Sequence, residues 1–134
     1  MQKSLGEGGK KKVYLAHDTL LDRDVAFALI KSEGLDEASR TRIQREAQAM
    51  GRLGSHPHIV TVFDLGQEGG RGGFETRPYM VSELMAGGDV EAAIEAAPEH
   101  RLPLEQAISI AQQVCRGLEF AHRRGIVHRD LKPS

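Results

Sequence analysis

Asp130 and Lys132 stand two residues apart in the run His128-Arg129-Asp130-Leu131-Lys132-Pro133-Ser134. An aspartate held in a tight loop can accept the proton of a hydroxyl. A lysine two residues on can neutralise charge on a group moving to that hydroxyl. The chemistry that suits this pair is phosphoryl transfer to an alcohol. A second stretch points to phosphate: Gly6-Glu7-Gly8-Gly9-Lys10-Lys11-Lys12-Val13. Glycines let backbone N–H groups approach phosphate oxygens closely. By composition alone the same stretch also fits a solvated basic surface turn.

The elements that must position these residues follow in a clear order. Lys12 to His17 and Asp24 to Ile30 are rich in Val, Leu, Ile and aromatic residues and read as a β-hairpin linked through residues 19–23. A helix is predicted from Glu37 to Leu53, with Asp36 as N-cap, Gly54 as its end, and Ile43, Ala47 and Met50 as its apolar stripe. Ile59 to Leu65 and Tyr79 to Leu84 read as two more strands, with Gly66 to Gly73 as a flexible turn between them. Gly87-Gly88 marks a change of regime, after which the pattern is helical. Asp89 is suited to cap a short helix reaching about Ala97. Pro103 is suited to start a long helix that runs to about Arg123, with Gly125 closing it. Along that helix Leu104, Ala107, Ile108, Ala111, Val114, Cys115, Leu118 and Ala121 share one face. The fold class is α+β.

Composition sets broad limits. Eighteen Lys and Arg against nineteen Asp and Glu give a net charge of -1, which favours neither nucleic acid nor an anionic membrane as partner. Hydrophobic residues at 40% and charged residues at 28% describe a soluble globular chain. No apolar run approaches the roughly 20 residues of a membrane span, and the first residues carry no signal-peptide pattern. A cytoplasmic location is the expectation. The single cysteine, Cys115, excludes an internal disulfide and is expected to be a buried, inert thiol. His56 and His58 lack a nearby Cys or carboxylate in sequence and do not read as a metal site.

The terminal run resembles the catalytic loop of protein kinases, written H-R-D-L-K-P-x-N in the Ser/Thr branch. The resemblance extends over nearly the whole chain, and the wording of Val13-Tyr14-Leu15-Ala16-His17-Asp18 is similar to bacterial Ser/Thr kinases. It implies a kinase small lobe at residues 1–86, with its first strand cut short, and the hinge end plus the start of a helical large lobe at 87–134. Asp130 would be the base and Lys132 the phosphate-stabilising lysine, while Arg129 would contact a phosphorylated activation segment and His128 would pack. Lys132 also points to Ser/Thr acceptors, hence to a protein substrate. Glu83 and Met85 would offer backbone groups to adenine, Ser82 would be the gatekeeper, and Asp89 would face the ribose; a plain helix cap is compatible with that last role.

ATP and Mg²⁺ are the cofactors the resemblance implies. Gly6, Gly8 and Val13 fall in register with the family's G-x-G-x-x-G-x-V, but Lys11 occupies the third glycine position. Val25-Ala26-Phe27-Ala28 resembles V-A-I-K, but Ala28 occupies the lysine position. Ala26 and Ala28 share a strand face, and Lys31 is expected to point the other way. Both departures together are similar to the kinases named "with no lysine", which implies Lys11 as the ATP-binding lysine, with Lys31 the alternative. Glu46 would orient that lysine; its bland reading is an i,i+4 pair with Arg42. The Mg²⁺-binding Asn and D-F-G Asp of the family would lie beyond Ser134, so the 134 residues alone are expected to be inactive. A pseudokinase that binds nucleotide or a partner without turnover is the alternative function. The apolar stripe of the long helix is expected to be exposed in this chain.

Overall fold

The computed structural model describes residues 3–7, 11–31, 36–69 and 76–134. Five strands form one antiparallel sheet: β1 (Ser4–Glu7), β2 (Lys11–Asp18), β3 (Arg23–Ile30), β4 (Val62–Glu68) and β5 (Arg77–Glu83), in the order β1-β2-β3-β5-β4. Helix α1 (Glu37–Leu53) connects β3 to β4. Helices α2 (Val90–Ala96) and α3 (Leu104–Arg123) follow, separated by a single 3-10 turn at Pro98–His100. Contacts divide the chain into two compact units: Met1–Gly54 with Val60–Leu84, and Ser55–Ile59 with Met85–Ser134.

In the first unit the β2–β3 hairpin forms because both segments alternate apolar side chains and the turn caps itself. The Asp18 carboxylate accepts the backbone N–H groups of Leu20 and Leu21, at 3.1 and 3.2 Å, the local bonding that makes Asp a turn residue. Helix α1 has the predicted bounds. Asp36 accepts the Ser39 N–H at 2.8 Å, a cap of about 1 kcal/mol. Gly54 ends the helix at φ 67°, a conformation that side chains with a Cβ resist. Ala47 and Leu53 are its buried residues, and Val25, Ala28 and Ile30 are the buried residues of β3.

The fourth strand lies three residues later than the sequence suggests. Ile59 is spent on a turn: its N–H donates to the His56 carbonyl at 3.2 Å, and the strand proper starts at Val62. It then runs through Gly66 to Glu68, residues that read as flexible turn. Gly66 pairs with Tyr79, and a Cβ built on Gly66 would lie 2.4 Å from the Tyr79 ring. This glycine admits a close aromatic contact within a strand.

His17 sits between two carboxylates of the same hairpin, 2.9 Å from Asp24 and 3.2 Å from Asp22. The Asp24 hydrogen bond, first, raises its pKa above the ordinary 6.5, with help from Asp22 and Asp18. A raised folded-state pKa stabilises the hairpin fully below pH 6.5, and that contribution fades as pH rises through the higher value. In an NMR titration His17 should therefore titrate above 6.5, and Asp24→Asn should move its midpoint down. An unchanged midpoint in the variant would contradict the pairing.

In the second unit α3 packs on the turn at Ser55–Ile59. A Cβ on Gly117 would lie 2.8 Å from the His58 carbonyl oxygen, so only glycine lets the helix and turn backbones meet. Phe120 lies 4.4 Å from the His56 ring, with the Arg124 guanidinium 3.6 Å over its face. Gly117→Ala gains about 1 kcal/mol of helix propensity but must displace backbone, at about 1–3 kcal/mol. The expected outcome is a net loss of up to about 2 kcal/mol in chemical denaturation, and a stabilised variant would refute the close approach.

Candidate functional site

Strand register decides which residues of the first unit share a surface, because paired residues in neighbouring strands present their side chains on the same face. Pairing runs Gly6 to Val13, Val13 to Ala28, Ala28 to Met80, and Met80 to Leu65. The next row runs Leu15, Ala26, Ser82, Val62. Gly6, Val13, Ala26 and Ser82, four of the residues singled out in the sequence, thus lie in two adjacent rows on one face, with Ala28 between them. A Cβ on Gly6 would meet nothing within 4 Å, so the space above that backbone is open. Ala28 is only 4% exposed. Gly8 lies outside the described residues.

Lys11 pairs with Ile30 and stands two residues from Val13, which places it on the Ala28 face. Lys12 pairs with Leu29 and with Glu7, on the opposite, Phe27 face. Lys31 joins that opposite face: its Nζ is 2.5 Å from Glu7 Oε1, and Lys12 Nζ is 3.8 Å from the same oxygen. Lys31, first, and Lys12 hold the Glu7 carboxyl below the usual carboxylate range. This three-residue ion cluster escaped the sequence reading. Nothing in the local run singles out Glu7, and only the register shows two lysines converging on it.

Glu46 is exposed. Among the described residues it forms no ion pair with Arg42, Lys11 or Lys31, and none of the ion pairs found there involves Lys11. Glu83 closes β5 by exchanging two contacts with Thr61. Its N–H donates to the Thr61 carbonyl at 2.9 Å, and its carboxylate accepts the Thr61 N–H at 3.2 Å. Its N–H is therefore committed within the unit.

In the second unit Met85 is exposed. Gly88 adopts φ 77° and turns the chain into Asp89. Asp89 is the N-cap of α2, accepting the Ala92 N–H at 2.8 Å. The N–H of Glu91, another free donor of that first turn, goes to the Pro133 carbonyl at 3.1 Å. Helix α2 thereby holds the far end of the His128–Ser134 loop.

The near end of that loop is set by how α3 stops. Ile126 N–H donates to the Ala121 carbonyl at 3.0 Å and Gly125 N–H to the His122 carbonyl at 2.9 Å, with Gly125 at φ 74°. That is a Schellman ending, which needs glycine at its left-handed position. Arg129 is also left-handed, at φ 64°, a conformation costing a non-glycine residue about 1 kcal/mol or more. The kink lets the Asp130 N–H donate to His128 Nδ1 at 3.1 Å. His128 is thus an exposed ring that ties the turn from within, where the family resemblance implied a packing role. The Asp130 carboxylate is left 81% exposed, 4.0 Å from Lys132 Nζ. A free carboxylate beside an ammonium can take a proton from an alcohol and shield negative charge in the same place.

Cys115 is exposed, not buried. Of the predicted stripe Leu104 and Ile108 are exposed as well, while Ala121 at its far end is buried together with Gly117. The helical pattern was sound, but a stripe identifies a face suited to burial, not the partner that covers it. His56 and His58 share a groove with Glu119, yet among the described residues no group of three metal-ligating side chains could hold an ion. No helix is long and apolar enough to cross a membrane among those residues.

Comparison with known proteins bears on the family and the fold. The chain is 40% identical over 133 residues to Serine/threonine-protein kinase PksC of Streptomyces coelicolor, covering 97% of this chain and 23% of that protein. It is 37% identical over 131 residues to Serine/threonine-protein kinase PknB of Mycobacterium leprae, covering 97% of this chain and 20% of that protein. The kinase domain of Mycobacterium tuberculosis PknI superposes with a TM-score of 0.79 at 28% identity, over 98% of this chain and 51% of that one. The chain spans about a fifth of the length of the curated relatives it matches. The sheet with α1 has the architecture of a kinase small lobe, and α2 and α3 that of the start of its large lobe. The protein kinase domain family matches residues 1–134, so this chain belongs to that family.

Proposed function

We propose that this chain supplies the nucleotide-binding half and the proton-accepting loop of a protein Ser/Thr kinase that moves the γ-phosphoryl group of ATP to a Ser or Thr hydroxyl. The observation that carries the reading is the exposed Asp130 carboxylate beside Lys132 in a loop tied at both ends. Asp130 takes the hydroxyl proton as the Ser or Thr oxygen bonds to phosphorus and the bond to the β–γ bridging oxygen breaks, releasing ADP. Lys132 offsets charge on the moving group. In the first unit, the small side chains of Ala26, Ala28 and Ser82 on one face suit a flat ring, and Lys11 shares that face. Lys31 is engaged with Glu7 on the other face, which favours Lys11 as the phosphate lysine. Glu46 is the candidate for steadying that lysine once nucleotide is bound. Glu83 offers adenine its carbonyl, Met85 its backbone and Asp89 the ribose contact. Arg129 is the contact for an activation segment.

Residues 1–86 would form the small lobe and 87–134 the start of the large one, in a cytoplasmic setting. Mg²⁺ has no fitting ligand set among the described residues, and no step is assigned to it. The 134 residues alone are accordingly expected to be inactive. The buried Ala28, standing where the family keeps its lysine, favours a second reading: a pseudokinase that binds nucleotide without turnover.

The test uses the full-length protein carrying this chain. Incubation with radiolabelled ATP, Mg²⁺ and a generic protein substrate should place label on Ser or Thr. Nucleotide binding without any transfer would support the pseudokinase reading, and absence of both would refute each.

A further inference from the structure

We infer that Glu7 is a positioning residue that pins the strand register and so decides which lysine of Lys10-Lys11-Lys12 reaches the nucleotide. The inference rests on the kinase reading and on Lys11 as its phosphate lysine. Three consecutive lysines carry no hydrophobic pattern, and in a strand a shift of one residue moves every side chain to the other face. Along the run itself, nothing distinguishes the arrangement with Lys11 on the Ala28 face from one that puts Lys10 or Lys12 there. Glu7 supplies the missing distinction. It lies on β1, pairs with Lys12 of β2, and reaches past it to Lys31 at the end of β3. One carboxylate therefore ties three successive strands together on the Phe27 face. With Lys12 drawn to that face, alternation along β2 sends Lys11 to the other, where Gly6, Val13 and Ala28 lie.

The position of the pin supports this role. Further along the hairpin the β2–β3 pairs are apolar, with Tyr14 opposite Phe27 and Leu15 opposite Ala26, and Phe27 in turn stacks on Tyr79 of β5 at 5.1 Å. At the lysine end β2 has no apolar residue of its own before Val13. The ion pairs there are half-exposed, so each is modest and salt-sensitive. A modest pair is enough to bias the local pairing at this strand end, which lies beyond the apolar residues that hold the rest of the hairpin.

An acyl-phosphate derivative of ATP, which acylates the lysine nearest the phosphates and releases ATP, reads the outcome directly by mass spectrometry. In the full-length wild-type protein at low salt, Lys11 should carry the label. In Glu7→Gln the label on Lys11 should fall about threefold to tenfold and appear on Lys10 and Lys12. Lys31→Met should redistribute label in the same way, and the double variant should do no more than either single one. Raising salt to about 0.5 M should shift the wild type toward the variants. The thermal midpoint of each variant is measured alongside, since a general loss of structure lowers all labelling without redistributing it. A uniform fall, or an unchanged pattern in Glu7→Gln, overturns the pin while leaving the kinase reading in place. Labelling of Lys31 in the wild type overturns the Lys11 assignment and the pin together. No labelled lysine at all overturns the nucleotide-binding reading itself.

Discussion

Asp130→Asn should lower phosphoryl transfer by the full-length protein about 10²- to 10⁴-fold, the usual contribution of a positioned general base. Asparagine has the same shape but no basic oxygen. The change keeps the loop, because the bond that shapes it is the backbone N–H of residue 130 to His128 Nδ1, and the left-handed residue is Arg129, one position earlier. The lost contact is a 4.0 Å approach between two exposed groups, worth well under 1 kcal/mol at the surface. Folding and nucleotide affinity should therefore stay near wild type while the rate collapses. Initial rates of Ser/Thr phosphorylation, with nucleotide binding measured in parallel, check this. A variant within about tenfold of wild-type rate would remove Asp130 from the mechanism.

Lys11→Met should be the next most damaging change, lowering kcat/KM by about 10²- to 10³-fold, as for removal of one charge aimed at a phosphoryl group. Lys31→Met should cost about tenfold or less, because its partner is Glu7 and its face is the opposite one. Methionine keeps the length and apolar stem of lysine, so neither change opens a hole. The reverse order of severity would return the phosphate role to Lys31. It would require the end of β3 to bulge so that Lys31 leaves Glu7 and crosses the sheet.

Much of this arrangement was legible from residue patterns that act locally. Asp36 and Gly54 mark the ends of α1 because a cap and a left-handed stop depend only on neighbours a few residues away. The same holds for Asp89 before α2 and Gly125 after α3. The hairpin was plain from alternation. What stayed hidden depends on residues far apart in the chain. Gly66 looked like flexible turn because its reason for being glycine is a ring thirteen positions away, Tyr79. Gly117 was invisible because its neighbour is the carbonyl of His58. Cys115 was misjudged because a helical stripe says which side is apolar and not whether anything covers it. In the candidate site, motif spacing pointed to Asp130 and Lys132, which the structure describes 4.0 Å apart in one exposed loop. The convergence of Lys12 and Lys31 on Glu7 needed the register of three strands.

The row Gly6, Val13, Ala28, Met80 links the two departures from the family's motifs. Ala28 is packed to 4% exposure on the face that Lys11 occupies at its edge. Installing the family's usual lysine at 28 would drive a long stem through that packing and set a second cation beside the first. Restoring glycine at 11 alone would remove the Lys11 ammonium from that face. The two positions are therefore expected to be coupled, so that Lys11→Gly combined with Ala28→Lys differs from the sum of the two single changes.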